Sequence, residues 1–380
     1  MAETKVRQKN LEKLRCLAMM MVVILHFLGK GNLLGDVRAP EMSAVGAAAW
    51  VLEVLCIVAV NCYMLISGYF LCESSFKLSR LLGLYLQIWM YSVGVGLAAW
   101  VAGLVPAGEV NIHYFLSLLF PVSMGHYWFM TAYVFLYLLF PLVGMAVKRM
   151  TKEQLALVLA LCLGAFCVLK SVLPFRLEED GQGYDFLWYL CVFLVAAYIR
   201  KFGIKFLEKR WRCICLYLIS CGAILLELYV LRQLYLSRGS FELILKVSFE
   251  YNHILVLLAA AGLFGWFRLS KNEGILANAA SAIAPYVLGV YLLHENIGIR
   301  YGWQEWFHAD RIQNVGQLAL WTVIAVICVF AAGVITEAAR SMVVKALGKL
   351  SGKLLGPLKL FKVLKDYVKK ADIMFAEKMK

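Results

Sequence analysis

Long apolar runs recur along the whole chain, and they constrain the fold more than any other feature of the sequence. A helix needs about 20 apolar residues to cross the hydrocarbon core of a bilayer. Of the 380 residues, 62% are hydrophobic and only 16% are charged. Soluble domains are nearer half apolar and a quarter charged. The pattern therefore predicts one all-α, polytopic membrane domain, without linkers between independent soluble domains.

Charge clusters and turn residues divide the apolar runs into ten predicted transmembrane helices. The predicted spans are residues 14–31, 45–70, 82–105, 127–147, 153–173, 186–200, 212–235, 246–267, 282–299 and 315–339. The first run is interpreted as a retained span, because no small-residue cleavage pattern follows it and further spans come after it.

The distribution of lysine and arginine predicts the orientation of these spans. Basic residues near span ends are retained in the cytoplasm. With a cytoplasmic N-terminus, 29 of the 38 lysine and arginine residues lie in cytoplasmic segments and nine lie outside. The bias predicts that both termini are cytoplasmic. It also attributes the net charge of +14 to membrane topology, so no nucleic-acid partner is predicted.

The last 40 residues differ from the rest of the chain. Residues 1–340 are predicted to form the transmembrane domain and residues 341–380 a basic cytoplasmic tail. In the tail, lysines alternate with leucines and phenylalanine up to residue 370, with an interruption at Pro357. This pattern predicts an amphipathic segment on anionic membrane lipids, with binding of a partner protein as the alternative. No oligomeric state is predicted.

The first span, "LRCLAMMMVVILHF", contains two ionisable side chains, Arg15 and His26, which are energetically unfavourable within a membrane. Their spacing of eleven residues returns to within about 20° of the same helix face, roughly 16 Å further along the axis. Arg15 is then expected at the cytoplasmic mouth and His26 in the outer half of the bilayer. Arg15 can also be interpreted as a snorkelling anchor and His26 as a satisfied bundle histidine. An ionisable group at that depth nevertheless indicates a functional site.

Other polar residues follow the same vertical separation. Basic residues cluster at the predicted cytoplasmic rim, namely Arg15, Lys77 and Arg80. Histidines cluster in the predicted outer half, namely His26, His126 and His294. The separation predicts an anionic ligand that is held from the cytoplasm and acid–base chemistry deeper in the membrane.

Motifs of soluble enzymes do not occur in this sequence. It has no Gly-rich phosphate loop, no HExxH and no GxSxG. The three outer histidines lack the short spacings of zinc ligands, so no metal site is predicted. The eleven cysteines contain no CxxC and are interpreted as small, reduced hydrophobes.

Several motifs together resemble the acyltransferase-3 family of integral membrane O-acyltransferases. The first span contains an arginine and a histidine with ten residues between them, as "RCLAMMMVVILH". The second span contains "NCYMLISGYFL" and is followed by the basic cluster "KLSRLLGLY". Later segments read "HYWFMTAYVFLYLLFP" and "VYLLH". Where relatives often have Arg-x-x-Arg, this chain has Lys77-x-x-Arg80. The lysine keeps the positive charge but cannot form the paired hydrogen bonds that a guanidinium makes to a phosphate.

The resemblance implies an enzyme of the cell (plasma) membrane. It would move an acyl group, most often acetyl, from acetyl-CoA to a hydroxyl of a sugar or bacterial cell-surface glycan. CoA phosphates would bind Arg15, Lys77 and Arg80. His26 would act as general base or acyl relay, with Glu53 orienting its ring. The residues expected on the acceptor side are Asn61, Ser67, Trp128, Tyr133 and His294. For Trp128 and Tyr133, packing within the helix bundle is the simpler interpretation.

Two other classes of function remain open from the sequence. Buried His, Glu and Asn also occur in proton-coupled transporters or flippases. Against that interpretation, the chain lacks paired half-repeats and Gly/Pro-broken helices. A non-catalytic sensor or assembly protein, in which Arg15 and His26 are structural, is the other alternative.

Overall fold

The computed structural model describes residues 8–173, 178, 180–240, 242–354 and 359–378, and these ranges contain helices and no β-strand. The α-helices in chain order are α1 (Lys9–Lys30), α2 (Ala44–Cys56), α3 (Ala59–Leu71), α4 (Leu78–Val101), α5 (Ile112–Leu119), α6 (Trp128–Arg149), α7 (Lys152–Leu163), α8 (Leu169–Val172), α9 (Phe186–Phe202), α10 (Arg210–Arg238), α11 (Glu242–Val247), α12 (Ile254–Arg268), α13 (Ile275–Ile283), α14 (Val287–His294), α15 (Val315–Leu354) and α16 (Lys359–Lys378). The predicted all-α fold is confirmed for these residues.

Seven helical segments of the described chain are long and apolar enough to cross a membrane. They are Ala44–Leu71, Leu78–Val101, Trp128–Arg149, Lys152–Val172, Arg210–Arg238, Ile275–His294 and Val315–Gly348. The other three predicted spans coincide with α1, α9 and α12. Helix α1 carries charges near both ends, and α9 and α12 have only 17 and 15 residues. The structure thus indicates a multi-pass membrane protein, while the count of ten and the orientation stay predictions.

Helix α1 lies inside the bundle and is in contact with α2, α3, α12, α13, α14 and α15. Most of its apolar side chains are buried, from Leu11 to Leu28, while Leu17, Met20 and Ile24 are half-buried. This central position explains why the first span tolerates ionisable groups, since other helices surround them instead of lipid.

Glycines bring α14 and α15 into close contact. A Cβ on Gly333 would lie 2.3 Å from the Cα of Val290, and one on Gly289 would lie 2.4 Å from the Cβ of Glu337. Between α13 and α14 the helix narrows to a 3₁₀ turn containing Pro285, which has no N–H to donate. The tight contact holds the C-terminal end of α14, and therefore His294, at a defined position in the bundle.

One helix runs through the predicted domain boundary at residue 340, and the boundary itself stays a prediction. Helix α15 continues through it to Leu354, because the sequence has no helix breaker there. Helix α16 docks on the N-terminal end of α4: Phe375 packs on Phe76 at 4.8 Å between ring centroids. Asp372 accepts a hydrogen bond from the Ser79 backbone N–H at 3.2 Å. Residues 355–358, including Pro357, lie outside the described residues, and the predicted contact with lipids stays a prediction.

Candidate active site

Two cavities lie end to end between α1, α3, α6 and α14. The first, here the Arg15 cavity, has a volume of about 320 Å³ and is lined in part by Arg15, Ser67, Arg80, Tyr133 and Tyr137. The second, here the His26 chamber, has a volume of about 50 Å³ and is lined in part by Met19, Val22, Leu25, His26, Trp128 and Tyr251. Both share the walls formed by Tyr63, Phe129 and Leu288. Arg15 and His26, which the sequence places three turns apart on one face of α1, thus line two adjoining cavities.

Arginine side chains mark the wide end of this pair of cavities. Arg15 forms a 2.7 Å ion pair with Glu12, and its side chain keeps 27% exposure. The Tyr63 hydroxyl donates a hydrogen bond to the Arg15 carbonyl at 2.8 Å, which ties α3 to α1 at this level. Arg80 is exposed and lines the same cavity from α4. Two cations therefore face one cavity mouth, as an anionic ligand requires.

Lys77 stands at the same rim but does not line the Arg15 cavity. It is the N-cap residue of α4, and its backbone N–H donates a hydrogen bond to the Tyr137 hydroxyl at 3.1 Å. Its side chain is exposed. The structure thus brings Arg15 and Arg80 together and leaves Lys77 one turn before Arg80, outside the cavity wall.

His26 meets His294 and Glu295 at the other end. Its Nδ1 is 2.8 Å from the Nε2 of His294 and 3.2 Å from the Oε1 of Glu295. Lys30, one turn after His26 on α1, binds the same carboxylate oxygen through its Nζ. His294 and Glu295 are 2% and 3% exposed. The cluster is therefore a largely buried hydrogen-bonded unit at the junction of α1 and α14.

The hydrogen-bond network assigns the proton positions in this cluster. The Val290 carbonyl can only accept, so His294 donates to it from Nδ1 at 2.6 Å. In the neutral imidazole the Nε2 of His294 is then an acceptor, and the Nδ1–H of His26 donates to it. The Nε2 of His26 is left with a free lone pair and no partner among the described residues. In this arrangement one ring nitrogen of His26 can accept a proton, and the Glu295 carboxylate lies beside the ring.

Comparison with protein-family models gave a match over residues 8–337, to an acyltransferase domain. The chain belongs to the acyltransferase-3 family. Searches of curated proteins and of solved structures gave no match. The family match and the several apolar helices together make this protein a membrane acyltransferase, and they confirm the resemblance drawn from the motifs.

Glu53 is not the acidic neighbour of His26 that the sequence suggested for this acyltransferase. Among the described residues the carboxylate at hydrogen-bonding distance of His26 is Glu295. Glu53 lies on α2, and its Oε2 is buried without a hydrogen-bond partner. With a cytoplasmic N-terminus, Glu53 falls near the outer end of the second predicted span and Glu295 in the outer half of the ninth, but depth alone does not decide which side chain faces α1.

The other expected acceptor-side residues have different environments. Asn61 is fully buried and uses its amide inside the protein, donating to the Tyr251 carbonyl at 2.7 Å and accepting from the Trp188 indole at 2.9 Å. Trp128 lines the His26 chamber, whereas Ser67 and Tyr133 line the Arg15 cavity. Asn61 is therefore a structural residue, and Ser67 and Tyr133 lie nearer to Arg15 than to His26 along the pair of cavities.

His126, the third outer histidine, does not join the cluster. Its Nδ1 is 2.9 Å from the Ser92 hydroxyl, and its Nε2 accepts the Ile297 backbone N–H at 3.0 Å. Its ring stacks on Tyr127 at 4.0 Å between centroids. It orders the segment that follows Glu295 instead of reaching the His26 chamber.

The same cluster brings together three side chains of types that bind metal ions. One donor atom each from His26, His294 and Glu295 lie within 4.8 Å of one another. However, the Lys30 ammonium binds the Glu295 carboxylate, and the two imidazoles are hydrogen-bonded directly to each other. A divalent ion here would lie next to a fixed positive charge, so the donor set fits acid–base chemistry better than metal binding.

Sequence reasoning missed Glu295 and Lys30 as members of the site. The signals were present: Glu295 directly follows His294, and Lys30 comes four residues after His26, on the same helix face. Lys30 was counted only as a basic residue on the predicted outer side.

Proposed function

We propose that this acyltransferase moves an acetyl group from acetyl-CoA, bound from the cytoplasm, to a hydroxyl of a sugar or cell-surface glycan. It would act in the plasma membrane with both termini cytoplasmic. The observation that carries the proposal is the adjoining pair of cavities, with arginines at one end and a base-ready histidine at the other.

The Arg15 cavity suits the donor. Phosphates would bind the guanidinium groups of Arg15 and Arg80, and Lys77 would add a third charge at the rim. A narrow, uncharged arm would extend past Tyr63 and Phe129. The axial distance from Arg15 to His26, roughly 16 Å, is the length that this arm has to cover. The small volume and apolar walls of the His26 chamber favour acetyl over a longer or charged acyl group such as succinyl.

The free Nε2 of His26 supports general-base catalysis. It would take the proton of the acceptor hydroxyl while that oxygen forms a bond to the thioester carbonyl carbon. As the carbonyl reforms, the C–S bond breaks and the thiolate takes the proton from Nε2, giving an ester and a free thiol. Glu295 would stabilise the imidazolium between these steps, and His294 would hold the ring orientation.

Thiol release from acetyl-CoA tests the proposal. The purified protein in liposomes is given acetyl-CoA with and without a crude glycan extract, for wild type, His26→Ala and His113→Ala. His113 is an exposed histidine on α5, away from the cavities, and serves as the matched control. We expect release in the wild type and control and none in His26→Ala. Normal release in His26→Ala would contradict the assignment of the base.

The same assay separates the remaining alternatives. An acetyl adduct on the His26 peptide, trapped in the absence of acceptor, would indicate an acyl relay in place of direct transfer. Absence of both release and CoA binding in the wild type, together with substrate movement that depends on a proton gradient, would favour the transporter.

A further inference from the structure

A second, polar cleft lies beyond His26, where α1 ends. It has a volume of about 510 Å³, and its walls include Lys30, Asn32, Tyr301, Gln304, Glu305 and Asp310. Helix α1 and the segment after α14 contribute most of these residues. This cleft, here the Lys30 cleft, is separate from the Arg15 cavity and stands at the opposite end of α1.

The Lys30 cleft is in contact with the active site through two of its residues. The Lys30 ammonium binds Glu295, which in turn lies 3.2 Å from the Nδ1 of His26. The Nε2 of Gln304 donates to the carbonyl of Arg300 at 2.9 Å and, at 3.4 Å, to that of His26. The histidine cluster therefore forms the partition between the His26 chamber and this cleft.

Gln304 supplies an independent sign of a ligand. The residue is only 1% exposed, and its Oε1 is buried without a hydrogen-bond partner. The amide cannot simply be inverted, because its Nε2 already donates to two carbonyls. A buried acceptor without a donor is costly, and such groups in native proteins usually have a function. A sugar hydroxyl in the cleft is a donor of the required kind.

The charges of the cleft limit which sugar it suits. Glu305 and Asp310 stand in its walls, while the one ammonium, Lys30, is neutralised by Glu295. Asp310 is paired with Arg311, but both are well exposed, so the pair is weak. Tyr301 is 70% exposed, and its ring is accessible from the cleft beside the Lys30 ammonium, which lies 5.3 Å from the ring centroid. Neutral or amine-bearing sugars fit these walls, and carboxylated sugars would be repelled.

We infer that the Lys30 cleft is the acceptor site and that it takes a neutral or amino sugar. Gln304 accepts a hydrogen bond from one hydroxyl of the sugar, and Tyr301 stacks on its ring. The hydroxyl to be acylated passes the Lys30–Glu295 pair to reach His26. This inference rests on the proposed function, because it assigns the second substrate of that reaction.

The test compares exposed variants of the cleft with a matched neighbour. Tyr301→Ala and Asp310→Lys alter the walls of the Lys30 cleft. Trp306→Ala is the control, because Trp306 is a 56% exposed aromatic residue of the same segment that does not line the cleft. The donor is labelled acetyl-CoA. The acceptor is a crude glycan extract, separated by anion exchange into a retained acidic fraction and an unretained fraction. Label transfer and acceptor-independent hydrolysis of acetyl-CoA are measured for each variant.

We expect the wild type and Trp306→Ala to label the unretained fraction. Tyr301→Ala should raise the acceptor KM about tenfold, the loss of one aromatic contact, and leave the donor KM constant, because the donor phosphates bind at the Arg15 end. Asp310→Lys should shift labelling toward the acidic fraction. Cleft variants that behave like Trp306→Ala, or a wild type that labels only the acidic fraction, would overturn the assignment. A wild type without thiol release would instead refute the proposed function.

Discussion

Glu295→Gln removes the carboxylate beside His26 while keeping its size. At the observed 3.2 Å, a carboxylate and an imidazolium attract by about 5 kcal/mol with an effective dielectric constant of 20. This attraction stabilises the reaction only while His26 is protonated. Its loss then corresponds to a decrease of roughly 10³ to 10⁴ in kcat. Lys30 shares the carboxylate and reduces this value, so we expect a decrease between about 10² and 10⁴.

The charge of Lys30 provides the control for this variant. Glu295→Gln leaves a buried ammonium without a partner, which alone would disturb the site. The double variant Lys30→Met with Glu295→Gln removes both charges and restores local neutrality. If Glu295 only neutralises Lys30, the double variant recovers activity. If it stabilises the imidazolium of His26, the double variant stays as slow as Glu295→Gln.

The assay is thiol release at saturating acetyl-CoA, with CoA binding measured separately. We expect kcat to fall and the Kd of CoA to stay constant, because the donor phosphates bind at the Arg15 end. Wild-type kcat in the double variant would refute the reasoning. An equal loss of CoA binding in both variants would mean that the site had collapsed, which thermal unfolding would detect.

Three further predictions follow from packing and charge. Arg80→Ala should raise the KM for acetyl-CoA about tenfold, and Lys77→Ala less, since only Arg80 lines the cavity; initial rates against acetyl-CoA concentration measure both. Gly333→Ala should destabilise the protein by about 1 to 3 kcal/mol and lower kcat, because its Cβ would meet Val290 at 2.3 Å; a normal Tm would contradict this. Asn61→Leu should lower Tm through two lost buried hydrogen bonds and leave both KM values unchanged, in contrast to a substrate-binding residue.

Local sequence patterns were enough to predict the helices and the family. Hydrophobic runs of span length are local signals, because in lipid each backbone group has to bond within its own helix. Helical periodicity also placed Arg15 and His26 on one face, and the structure has a cavity at each of them. The motifs around Arg15, Lys77 and His294 carried the family membership that the domain match confirmed.

The partner of His26 depended on tertiary structure. Glu53 and Glu295 both fall in the outer half of their predicted spans, and their distance from His26 in the sequence does not show which of them meets it. The close contact of α14 with α15 at Gly289 and Gly333 positions Glu295, and Glu53 is held elsewhere on α2. Periodicity describes the faces of one helix but not which face a neighbour presents. The sequence by itself therefore determined the helices and the family, whereas the packing of separate helices decided which ionisable groups meet.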